Sequence, residues 1–146
     1  MLIDKVGIKC DLTGEVLKDD FFYYSVSGKK INVSGDKITP HKEVAIDLDI
    51  SEIAFKSILE KCKPHIGFMG KNSIKCELSG KVLSGEFEYY NLVFDKIEVL
   101  YSKADKETGD VPIEVMNGVL DLNIDSQEAL RLLETKNKWR AVNTPS

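Results

Sequence analysis

Along residues 44–50, Val44, Ile46, Leu48 and Ile50 alternate with Ala45, Asp47 and Asp49. A period of two puts the four large apolar side chains on one face of an extended chain, which predicts a half-buried β-strand. The pattern recurs at Leu120, Leu122 and Ile124, alternating with Asp121 and Asn123. Each alternation runs straight into a stretch of helical period. Ile53, Ala54, Ile58, Leu59 and Cys62 form one apolar stripe, and Ala129, Leu132 and Leu133 form another. Ser51 and Asp125 stand at the two joins, where a short oxygen-bearing side chain accepts from the orphan N–H groups of a first helical turn. Helices are therefore predicted over 51–62 and 125–134.

Upstream of the first alternation, residues 8–12 read as a strand, Leu12-Thr13-Gly14-Glu15 as a turn, and Val16-Leu17 as the start of a returning strand. Residues 21–26 are aromatic-rich and predict a third strand. Ser27-Gly28 is read as a turn, followed by a strand over 30–33.

The same text is then rewritten. At a constant offset of 66, residues 8–33 and 74–99 are identical at 13 of 26 positions, including Cys10/Cys76, Leu12/Leu78, Gly14/Gly80, Tyr23/Tyr89 and Tyr24/Tyr90. By the second alternation the offset has grown to 74, so the second copy carries eight extra residues. They fall in the charged, turn-rich stretch 102–112, SKADKETGDVP, which is expected to form an extended hairpin tip. The predicted organisation is a first copy over 1–63, a connector over 64–73, a second copy over 74–135 and a C-terminal tail over 136–146. The predicted fold class is α+β: a tandem duplication of about four antiparallel strands followed by one helix, forming a pseudo-two-fold body.

Composition narrows the function classes. A hydrophobic fraction of 42% with 30% charged residues suits a folded globular chain and argues against wholesale disorder. The net charge of −4 disfavours a broad electrostatic grip on nucleic-acid phosphates. The start, MLIDKVGIKCDL, has an acid at position 4 and no apolar core, so no secretory signal is expected, and no run of 18 apolar residues suggests a membrane span. Three cysteines in such a chain point to reduced thiols and a cytoplasmic location.

Candidate chemistry is thin. Cys10, Cys62, His65 and Cys76 would supply a tetrahedral zinc set by residue type. Cys10 and Cys76 are equivalent positions, whereas His65 has no counterpart, so two copies would have to converge on one asymmetric point. Zinc is not favoured and no cofactor is expected. Asp47-x-Asp49-x-Ser51 begins like a calcium loop, but Glu52 stands where that loop needs glycine. His41 and His65 would anchor a small hydrolase or ligand-binding enzyme only if acids converged on them, and no phosphate-cradling loop or nucleophile elbow is present.

The leading expectation is a non-enzymatic protein that binds another protein in a regulatory, inhibitory or adaptor role, of a kind suited to a virus or mobile element. Candidate contacts are Tyr24 and Tyr90, the insertion residues Lys103, Asp105, Lys106, Glu107 and Asp110, Phe68 of the connector, and Trp139 and Arg140 of the tail. The rival is a nucleic-acid-associated module that stacks bases on Tyr24 and Tyr90, with or without structural zinc.

Overall fold

The computed structural model describes residues 8–35, 37–62 and 73–143, with side chains through 137. The chain is α+β. A two-residue hairpin, β1 (Ile8–Lys9) and β2 (Val16–Leu17), precedes a long hairpin, β3 (Phe21–Ser34) and β4 (Lys37–Ile50), and then α1 (Glu52–Lys61). The order then recurs as β5 (Ser73–Lys75), β6 (Val82–Ser84), β7 (Phe87–Val99), β8 (Ile113–Asp125) and α2 (Ser126–Asn143).

The long strands form one antiparallel sheet in the order β4-β3-β7-β8. Its middle is the β3–β7 pair, which runs without a register break from Phe21–Val99 to Val33–Phe87. Near the centre of that pair, Ser27 faces Val93, its own counterpart in the other half.

Alternation gives the sheet two unlike faces. Tyr24, Val26, Ile46, Leu48, Ile50, Leu92, Phe94, Leu122 and Ile124 face the helices, and pack against Ala54, Phe55 and Ile58 of α1 and Ala129 of α2. On the opposite face the apolar groups gather at the ends. The β1–β2 hairpin lays Ile8 and Leu17 over Tyr23, Ile97 and Val99. The β5–β6 hairpin lays Ile74 and Leu83 over Tyr89, Ile31 and Val33. Between these two pads lie the sheet pairs Asp47–Ser27, Ser27–Val93 and Val93–Asp121.

Several local expectations are corrected. Ser27-Gly28 is not a turn, because β3 continues through it to Ser34. Glycine is there for closeness: a Cβ on Gly28 would stand 2.6 Å from Leu92 Cδ2 and 2.8 Å from Ile46 Cβ. Gly28→Ala is expected to cost about 1–2 kcal/mol, an overpacking penalty partly offset by the better strand propensity of alanine. Chemical denaturation measures it, and a neutral result would show that β4 can move aside.

The buried side of α1 is carried by Ala54, Phe55 and Ile58, while Ile53 is 66% exposed and Leu59 41% exposed. Phe55 sets this rotation by stacking on Tyr24, with ring centroids 3.8 Å apart and planes within 5°. Residues 136–143 continue α2 rather than forming a separate tail. The 102–112 stretch is the tip of the β7–β8 hairpin, closing the two antiparallel strands beyond the Val99–Ile113 pair. It folds as a single 3-10 turn over Tyr101–Lys103 and a tight turn closed by Asp105, whose carboxylate accepts the Glu107 and Thr108 N–H groups at 2.7 and 3.2 Å.

Candidate functional site: a cleft between the two helices

Both helices start where sequence places them. The Ser51 hydroxyl accepts the Ala54 N–H at 3.3 Å, and Asp125 Oδ1 accepts the Glu128 N–H at 2.8 Å. Each start is tied to the short turn that opens its half. Cys10 Sγ accepts the Ser51 N–H at 3.2 Å, and Cys76 Sγ accepts the Asp125 N–H at 3.3 Å. Alongside, Asp11 and Asp49 exchange two bonds of 2.8 Å, from the Asp11 N–H to the Asp49 carbonyl and from the Asp49 N–H to the Asp11 carboxylate. Glu77 and Asn123 make the equivalent pair of bonds at 2.9 and 2.6 Å. Turns and helices are thus fixed on the sheet as two rigid blocks.

A cleft of about 650 Å³ opens between those blocks. One wall is α1, with Ile53, Ala54, Ser57, Ile58 and Lys61; the other is α2, with Glu128, Arg131, Leu132, Glu134 and Thr135. Leu12, Thr13 and Leu78 from the two short turns complete the lining. Most of these residues have their own counterparts on the other wall: Leu12 and Leu78 at offset 66, then Ala54 and Glu128, Ser57 and Arg131, Ile58 and Leu132, and Lys61 and Thr135 at offset 74. Arg131 Nη1 pairs with Glu128 Oε1 at 2.8 Å on the α2 wall, leaving the Lys61 ammonium on the α1 wall opposite. Among the described residues no histidine or cysteine lines the cleft, and its polar groups sit along two walls rather than converging on one atom. Such an arrangement offers shape and apolar contact beside charged groups rather than a convergent catalytic or ligand set.

The other candidate residues are dispersed. Tyr24 is buried, with one ring face taken by Phe55, while Tyr90 is half-buried and packs against the same cluster. Lys103, Asp105, Lys106, Glu107 and Asp110 are exposed on the β7–β8 connection. Backbone donation from Glu107 and Thr108 holds the Asp105 carboxyl below its ordinary range. Asp20 is lowered too, chiefly by the Ser102 hydroxyl and N–H, which tie the connection back to the start of β3.

His41 lies on exposed β4, where its Nε2 accepts from Asn32 Nδ2 at 3.0 Å. Cys62 ends α1 and donates its thiol to the Ile58 carbonyl at 3.3 Å, with burial raising its pKa. For Cys10 burial also raises the pKa, but hydrogen bonds from Thr13 and Ser51 outweigh it and leave the thiol below its usual value. Cys10 and Cys76 are each engaged within their own half. His65 and Phe68 lie outside the described residues, as do the side chains of Trp139 and Arg140. Among the described residues, no group of three or more His, Cys, Asp or Glu side chains is placed to hold a metal ion, and no helix is long and apolar enough to cross a membrane.

Compared with protein-family models, curated proteins and solved structures, the chain matches none of them.

Proposed function

We propose that the chain is a tandem duplication whose copies pair edge to edge about a local two-fold axis, and that it acts as a non-enzymatic protein-binding module of regulatory, inhibitory or adaptor type. The β3–β7 register supports the first half of this reading. Exchanging each residue for its counterpart at offset 66 turns the Tyr24–Lys96 pair into the Lys30–Tyr90 pair, and Ser27–Val93 maps onto itself. The two apolar pads obey the same rule: Tyr23, Val99, Ile8 and Leu17 in one correspond to Tyr89, Val33, Ile74 and Leu83 in the other. Two folded copies joined this way resemble a fused homodimer, with the interhelical cleft along the seam.

The observation that carries the second half is Ile53, a large apolar side chain 66% exposed that lines the cleft together with Leu12 and Leu78. An extended or helical segment of another protein would remove that surface from water. The walls suit a segment better than a compact small molecule, because α1 alone presents 10 residues, roughly 15 Å of helix. The exposed connection at 102–112 supplies a second, charged contact for the same partner. Three free cysteines suit work in a reducing cytoplasm.

Affinity capture with the full chain, wild type against Ile53→Glu, tests the reading. A partner that saturates wild type is expected to bind the variant at least tenfold more weakly, because a carboxylate would be buried against Leu12 and Leu78. Equal capture by both chains would remove the cleft from the interface, and loss of capture only on changing Lys106 and Glu107 would move the contact to the connection.

A further inference from the structure

In each half, two pairs of residues spaced i and i+3 meet at one corner. The first pair stands on a tight turn, Cys10 and Thr13, which is closed by the Gly14 N–H on the Cys10 carbonyl at 2.9 Å. The second stands on the first turn of α1, Ser51 and Ala54. Cys10 Sγ binds the Ser51 N–H at 3.2 Å and is also bonded by Thr13, while Ser51 Oγ binds the Ala54 N–H at 3.3 Å. The other half uses Cys76 and Ser79 on the turn, closed by the Gly80 N–H at 2.9 Å, with Asp125 and Glu128 at the start of α2. There Cys76 Sγ accepts N–H groups from Ser79 at 3.4 Å and Asp125 at 3.3 Å. Ser79 Oγ meets Asp125 Oδ2 at 2.9 Å, and Asp125 Oδ1 accepts the Glu128 N–H at 2.8 Å.

The residue spacing is that of a four-thiolate zinc site. Two ligands three residues apart on a glycine-closed turn face two more three residues apart on the first turn of a helix, giving the double C-x2-C spacing that closes a tetrahedron. Backbone N–H groups aimed at sulfur suit a thiolate in such a corner. The polar groups now there, Ser51 at 1% exposure and Asp125 at 5%, are buried and tied into the same hydrogen bonds.

We propose that each half is built on the frame of a tetrahedral thiolate metal site. One ligand position is kept as cysteine, and the other three, Thr13, Ser51 and Ala54 in the first half and Ser79, Asp125 and Glu128 in the second, are filled by residues that close the corner without metal. Hydrogen bonds from turn to helix do the joining that zinc does in a loaded site, so the fold stands with a single thiol at each corner. Thr13, Ala54 and Glu128 also line the interhelical cleft, but the metal readout needs no partner.

The test restores the ligands in the full-length chain. Thr13→Cys/Ser51→Cys/Ala54→Cys and, separately, Ser79→Cys/Asp125→Cys/Glu128→Cys are made in a Cys62→Ser background, so that no thiol on α1 outside the corner competes. Each variant is expected to bind one cobalt ion per chain with the intense visible absorption of a tetrahedral thiolate centre, to release it to zinc, and to melt at least about 10 °C higher with zinc than with chelator. The Cys62→Ser parent is expected to give no such spectrum. A folded variant that gives only the weak spectrum of six-coordinate cobalt would overturn the proposal. So would failure of both variants to fold in the presence of zinc, since a corner of the right geometry gains stability when the metal enters.

Discussion

Phe94→Ala is expected to lower the unfolding free energy by about 3–5 kcal/mol, the range for deleting a fully buried aromatic ring. Phe94 is 0% exposed and meets Phe55 edge-on at 5.7 Å, while the other side of Phe55 carries the stacked ring of Tyr24. Its loss leaves a void beneath α1 and frees one side of Phe55 at once. Collapse is hindered because α1 is held at its start by the bond from Ser51 to Cys10. The position is instructive because its counterpart in the first half is Gly28, where even a methyl group collides. The two halves fill this one position of the helix-facing layer asymmetrically, with a large ring at Phe94 and no side chain at Gly28. Urea unfolding of the variant decides the matter. A loss below about 1 kcal/mol would mean that the layer repacks around the gap and that Phe55 supports itself.

Asp49→Asn is expected to stabilise the protein by about 2–3 kcal/mol at pH 7. The Asp49 carboxyl is pushed up to about 6, first by burial and then by the neighbouring Asp11 and Asp47 carboxylates, with Lys136 pulling slightly the other way. In the unfolded chain the same group titrates near 3.8. Between those values the folded state keeps a proton that the unfolded state has released, so stability falls as pH rises from about 4 to about 6 and the whole penalty is present above that window. Each pH unit between the folded and unfolded midpoints is worth about 1.4 kcal/mol, reduced somewhat because the group is not fully enclosed. Asparagine removes the charge and leaves the backbone bond to Asp11 intact. The second half already has this solution, for Asn123 holds the equivalent place beside Glu77. Denaturation curves at pH 4 and pH 7 separate the causes: variant and wild type should nearly coincide at pH 4 and diverge at pH 7. An equal gap at both would show that the gain comes from packing or hydrogen bonding and not from the charge.

What is legible in the sequence follows from how local its cause is. The strand ends at Val44–Ile50 and Leu120–Ile124 are visible because alternation is a property of adjacent residues. Ser51 and Asp125 are visible because a cap acts within three positions. Gly28 is not, since its reason is Leu92, which lies on the long strand of the other half. Ile53 fits the helical spacing of the apolar stripe, and only the stacking of Phe55 on Tyr24 shows that the helix is turned otherwise. The continuation of α2 is hidden because residues 136–143 have no apolar period to reveal it. The cleft is hidden for a different reason. It is assembled from four separate stretches, and Leu12 and Leu78, identical at offset 66, look like positions kept only for the fold. Searching the unshared segments for contacts directs attention away from a cleft lined by residues of both halves.

The β3–β7 pair also sets a timetable for folding. Within the first long hairpin the partners are near in sequence, from Ser34–Lys37 at its turn to Tyr24–Ile50 at its far end. Across the seam even the nearest partners, Val33 and Phe87, lie farther apart along the chain than that, and Phe21 and Val99 are the most distant. Closing so long a loop must come before any of its pairs can form, and antiparallel joins of high sequence separation are slow. The hairpins can therefore zip early and independently, while the rate at which the whole sheet appears is governed by the meeting of its two middle strands.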